Sequence, residues 1–154
     1  MRRHLLVTND FPPKVGGIQS YLWELWRRLP SDDLAVHTTP YAGAGAFDAD
    51  QAFSVSRSRE PVLLPTRSLL RRVGRLAYAM DAELVVWDPA LPVGHIAPRL
   101  DRPYAVVLHG AEVTVPGRLP VGSSLLARVL RSASLVICAG GYPAREATRA
   151  AGTE

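Results

Sequence analysis

At 154 residues, 47% of them hydrophobic and 21% charged, the chain is long enough to bury one core and too apolar to stay disordered. Its 18 basic and 14 acidic residues give a net charge of +4, carried by arginine because Lys14 is the single lysine; arginine suits phosphate, but the lack of aromatic platforms interleaved with the arginines and of any recognised motif argues against a nucleic-acid binder. The single cysteine, Cys138, rules out an internal disulfide and a multi-cysteine metal site, and no apolar run reaches signal-peptide or membrane-spanning length.

Short apolar runs alternate with helix-like stretches, the pattern of a parallel sheet buried on both faces. The first strand is expected over Leu5–Thr8. It is followed by a helix over Gly17–Leu29 that gathers Ile18, Leu22, Leu25, Trp26 and Leu29 on one face before Pro30 stops it. A second strand, Leu34–Thr38, leads into Ala42–Asp50, which the glycines at 43 and 45 mark as a mobile surface loop. A third strand, Phe53–Val55, precedes a helix over Thr66–Met80 with Thr66 as its N-cap and Leu69, Leu70, Val73, Leu76 and Tyr78 as apolar positions. Strands at Leu84–Trp87, Ala105–Leu108 and Leu135–Ala139 follow, with shorter helices at Leu91–Leu100, Ser123–Arg131 and Tyr142–Ala150. The expected fold is therefore α/β, a Rossmann-like, doubly wound parallel sheet of about six strands with helices on both faces.

Two segments carry chemistry. Between the first strand and first helix lies Thr8-Asn9-Asp10-Phe11-Pro12-Pro13-Lys14-Val15-Gly16-Gly17-Ile18-Gln19, in the place where open α/β sheets bind ligands. Gly16 and Gly17 at a helix N-terminus let backbone amides approach a phosphate, although the same pair also serves as a tight turn. The dinucleotide fingerprint and the P-loop are both absent. The second segment is His109-Gly110-Ala111-Glu112, directly after a strand; His109 at that strand end can hydrogen-bond a sugar hydroxyl, and Glu112 can orient an acceptor or cap the next segment.

Asn-Asp-Phe-Pro-Pro with Gly-Gly-Ile-Gln, and a later His-Gly-Ala-Glu, together resemble the N-terminal domain of retaining GT-B glycosyltransferases of the family 4 type. Within that group the chain is most similar to actinobacterial phosphatidylinositol mannoside mannosyltransferases that use GDP-mannose. The resemblance covers nearly the whole chain and implies that residues 1–154 form an acceptor-side domain. It implies that the Gly16 and Gly17 backbone faces the donor diphosphate, that Asp10, Gln19 and Glu112 face the acceptor, and that His109 is the catalytic residue beside the transferred sugar. No metal or other cofactor is implied, since positive groups and helix dipoles neutralise the leaving diphosphate. The positive groups that grip the nucleotide-sugar belong to the family's C-terminal domain, which lies outside these residues, so the piece alone is expected to be inactive. The turn Cys138-Ala139-Gly140-Gly141-Tyr142-Pro143 departs from the serine that the family often places there.

Arg67, Arg71 and Arg75 fall four apart on one helix face, and Trp23 lies at the margin of the first helix near Arg27; together they suit an anionic lipid surface, a reading that a lipid acceptor favours where the expected acceptor is a lipid or a glycan. The expected location is cytoplasmic, peripheral on the inner face of the plasma membrane. A solvated helix face with a half-buried tryptophan accounts for the same residues. The competing functional reading is a non-catalytic module that binds a phosphorylated or lipid ligand through Gly16, Gly17 and the arginines. A serine hydrolase is excluded because Val121-Gly122-Ser123-Ser124 lacks the second glycine of a nucleophile elbow.

Overall fold

The structure is a computed structural model that describes residues 2–110 and 120–152. Six strands form one parallel sheet: β1 (His4–Thr8), β2 (Leu34–Thr38), β3 (Ser54–Arg57), β4 (Leu84–Asp88), β5 (Tyr104–Leu108) and β6 (Leu135–Cys138), in the order β3-β2-β1-β4-β5-β6. The helices are α1 (Gly17–Trp26), α2 (Ala44–Ala49), α3 (Arg67–Ala79), α4 (Pro120–Ser132) and α5 (Gly141–Ala151), with 3-10 turns at Ser31–Asp33 and Val93–Arg99.

Alternation along each strand explains why both faces are covered. Leu5 and Val7 of β1, Val85 and Trp87 of β4, and Val106 and Leu108 of β5 join Leu69, Val73 and Ala77 of α3 and Leu126 and Val129 of α4 in one core. Leu6, Val36, Val86, Ala105 and Val107 point the other way, onto Leu22 and Trp26 of α1 and onto Phe11 and Phe53. Strands with no solvent-facing side read as continuous apolar runs, as these do. Thr66 caps α3 through a hydrogen bond accepted from the Leu69 amide at 3.2 Å, an interaction worth about 1 kcal/mol.

Four expectations are corrected. The segment expected as a mobile loop contains α2, because Phe47 packs edge-on against Phe11 at 6.2 Å and Asp48 is bound by Arg57. Helix α1 ends at Trp26, three residues before Leu29, where the backbone tightens and the Leu29 amide bonds Trp26 O. The stretch expected as a helix over 91–100 is a 3-10 turn, since Pro98 has no amide to donate. Tyr78, expected among the apolar positions of α3, is 79% exposed. Among the described residues no helix is long and apolar enough to cross a membrane.

Candidate functional site

The chain runs from β1 to β2 on one side and crosses from β3 to β4 on the other, so the switch of direction falls between β1 and β4. In open α/β sheets that switch point, at the carboxyl ends of the strands, forms the ligand crevice. Here the last residues of the two strands, Thr8 and Asp88, are paired in register. The first motif leaves β1 at this point, and His109 follows β5, the next strand across.

Hydrogen bonds knit the strand ends together. The Asp10 amide donates to Thr8 Oγ1 at 2.9 Å, and the Thr8 hydroxyl donates to Asp88 Oδ2 at 2.6 Å. The other carboxylate oxygen, Oδ1, lies 2.5 Å from His109 Nε2. Asp88 and Thr8 are fully buried, whereas the His109 side chain reaches the surface with 9% exposure. The Tyr21 ring, one turn into α1, meets the His109 ring edge-on at 5.7 Å. Gly110 adopts φ +118°, a conformation that favours glycine, and Tyr142 packs beside it.

The first motif is equally specific in its packing. Asp10 Oδ1 accepts from Lys14 Nζ at 2.9 Å and from Gln19 Nε2 at 2.6 Å. Gln19 is buried and folds back over Gly16, where a Cβ would stand 2.2 Å from its Oε1; a side chain at 16 would push the Gln19 amide out of this position. Nothing lies within 4 Å of the position a Cβ would take at Gly17, and α1 begins with no side-chain cap on its amides. The α1 N-terminus is therefore open and partly positive. Asn9 clamps the loop between β3 and α3, accepting from the Leu63 amide at 2.7 Å and donating to Leu63 O at 3.1 Å.

Thus Asp10, Gly16, Gly17, Gln19 and His109, expected as site residues from the sequence, come to one edge of the sheet, with Asp10 and Gln19 bonded to each other. Glu112 lies outside the described residues. Asp88 and Thr8 were missed: Trp87-Asp88-Pro89 reads as a strand ending before a proline, and the signal available was an acidic residue at a strand's carboxyl end.

Arg67, Arg71 and Arg75 are all exposed along α3. Arg72, beside them, is committed to Glu60, whose two oxygens it holds at 2.6 and 2.9 Å; that hydrogen bonding keeps the Glu60 carboxyl down at about 2. Trp23 is not a free anchor. Its Nε1 donates to Gln51 Oε1 at 2.9 Å, its ring lies against Phe47, and the Arg27 guanidinium sits 4.7 Å above it. A shallow cavity of about 340 Å³ lies between the 60–66 loop and α3, away from His109.

No protein-family model matches the chain. It is 38% identical over 152 residues to a GDP-mannose-dependent alpha-(1-6)-phosphatidylinositol monomannoside mannosyltransferase of Mycobacterium tuberculosis, covering 92% of this chain and 39% of the relative. The Mycolicibacterium smegmatis enzyme of the same name is 34% identical over 146 residues, covering 90% and 38%. The chain thus spans about two-fifths of the length of these relatives. Among solved structures it is similar to Anabaena HepE in complex with UDP and glucose, at TM-score 0.66 and 20% identity, covering 97% of this chain and 41% of that one. The likeness to HepE is one of fold.

Proposed function

We propose that this chain, a homologue of one part of the phosphatidylinositol mannoside mannosyltransferases, is the acceptor-side half of a retaining glycosyltransferase that moves mannose from GDP-mannose to a glycolipid acceptor. The observation that carries the reading is that α1, whose uncapped N-terminus begins at Gly16 and Gly17 beside the switch point of the sheet, meets His109 through the Tyr21 ring. Open amides suit a diphosphate, and an imidazole at the neighbouring strand end suits sugar hydroxyls. Asp10, carrying Lys14 and Gln19, borders the acceptor side.

The leaving diphosphate is neutralised by the helix terminus and by cationic groups on a nucleotide-binding half, without a metal ion. Catalysis here consists of charge stabilisation and positioning, and this half supplies the positions. Arg67, Arg71 and Arg75, exposed along α3 with Tyr78 beside Arg71 and Arg75, suit the anionic face of a membrane that holds the acceptor. On this reading the protein is peripheral, on the cytoplasmic side.

In a transferase that joins this chain to a nucleotide-binding half, His109→Ala lowers mannosyl transfer by about a hundredfold or more while leaving the sheet folded. Undiminished turnover in that variant removes the proposal, and loss of transfer on chelation of divalent ions removes its metal-free part.

A further inference from the structure

Asp88 is an expensive residue to bury. A carboxylate taken wholly out of water costs several kcal/mol unless its oxygens are bonded, and a capping asparagine or an apolar residue would finish β4 more cheaply. Both of its oxygens are occupied by specific partners, Thr8 on Oδ2 and His109 on Oδ1. Thr8 is itself buried and is the register partner of Asp88 across the sheet, so the carboxylate is held by the most rigid part of the fold. His109 is the partner that extends to the surface.

A histidine ring can turn, and in its neutral form it can carry its proton on either nitrogen; which one is set by the bond the other nitrogen makes. A carboxylate accepts and does not donate, so Nε2 facing Asp88 is the protonated nitrogen. The Tyr21 ring, edge-on at 89°, opposes rotation of the imidazole out of this alignment.

We propose that Asp88 is the positioning residue of His109: braced by Thr8, it fixes the imidazole in the Nε2–H tautomer and in one orientation at the end of β5. The consequence for sugar transfer rests on the transferase reading; the tautomer and the orientation do not. Asp88 touches no substrate and acts through His109. The same bond ties the His109 segment to the first motif, because Thr8 Oγ1 also receives the Asp10 amide. A ligand that moves Asp10 is thereby coupled to the orientation of His109.

The test is the ring nitrogen chemical shifts of His109 in the isotope-labelled 154-residue chain, at a pH above the titration of the ring. The wild-type chain should show the Nε2–H tautomer as the single form. Asp88→Asn, whose amide can donate as well as accept, should give a mixture or the Nδ1–H form, and Thr8→Val should broaden the His109 signals while preserving the tautomer. A wild-type chain in the Nδ1–H form overturns the proposal even if neither variant folds, and so does an unchanged tautomer in a folded Asp88→Asn chain. In the transfer assay Asp88→Asn should lower kcat at least about tenfold with KM for GDP-mannose unchanged, and should add no further loss to His109→Ala. An additive loss means that Asp88 acts other than through His109. Failure of His109→Ala to affect transfer, with the tautomer as expected, would sink the transferase reading and leave the pairing intact.

Discussion

Arg57, the last residue of β3, donates from Nη2 to the carbonyl oxygen of Pro12 at 2.6 Å and so fastens an edge strand to the motif that leaves the central one. The same guanidinium holds both oxygens of Asp48 at 2.7 and 2.8 Å and bonds Thr39 O at 2.8 Å. The segments that follow β1 and β2 thus converge on one side chain at the carboxyl end of the sheet. Removing one partner of a largely buried ion pair leaves the other charge unpaired, which costs more than the pair itself contributes. Arg57→Met should therefore destabilise the chain by about 3 kcal/mol, read as a lower urea midpoint. Asp48→Asn, which keeps hydrogen-bonding capacity, should cost less.

Gly16 and Gly17 should separate cleanly. At 16 a methyl group collides with Gln19 Oε1, so Gly16→Ala should displace Gln19 from Asp10 and lower the melting temperature, and adding Gln19→Ala should recover part of the loss. At 17 the space is open, so Gly17→Ala should leave stability nearly unchanged yet weaken diphosphate binding in a complete transferase by about tenfold, because a methyl group then stands where the phosphate approaches. Thermal melts and nucleotide-sugar titrations check the two halves of this expectation.

Stability should fall in mild acid through His37. Burial, with Arg72 nearby, holds its imidazole down at about 4, and burial also lowers His4. Between the unfolded value of about 6.5 and the folded one, the unfolded chain binds the proton and the folded chain does not. The contribution is fully present above about pH 6.5 and is lost as pH falls toward 4, by up to roughly 3 kcal/mol for His37. Denaturant midpoints across this range should slope in the wild-type chain and flatten in His37→Gln.

Replacing Arg67, Arg71 and Arg75 by Ser should reduce binding to vesicles containing phosphatidylinositol by a hundredfold or so, since each exposed cation near an anionic surface contributes about 1 kcal/mol. Arg72→Gln should instead loosen the 60–66 loop, because Arg72 is paired with Glu60. Sedimentation of vesicles distinguishes the two.

The sheet was legible because β1, β2, β4 and β5 are apolar on both faces and leave little room for another period. The gathering of Asp10, Gln19 and His109 at one end of the sheet was legible for the same reason: residues that follow parallel strands lie together at the strands' carboxyl ends. What escaped depends on partners far along the chain. Thr8 and Asp88 are 80 residues apart, and no local pattern announces their bond. Helix α2 is Ala- and Gly-rich and is held by Phe47 and Asp48 reaching Phe11 and Arg57, contacts that a propensity reading cannot contain. Arg72, adjacent to the three exposed arginines of α3, belongs to Glu60, 12 residues earlier, a pairing that helical spacing does not announce.

The central claim, that this crevice holds the acceptor with His109 beside the reacting sugar, is tested most directly by titrating the labelled chain with a water-soluble phosphatidylinositol mannoside headgroup and following amide and imidazole signals. The account predicts shifts concentrated at Asp10, Gly16, Gly17, Tyr21 and His109, with GDP-mannose alone binding weakly. Shifts confined to other surfaces, or tight binding of GDP-mannose without any effect of the headgroup, would contradict it.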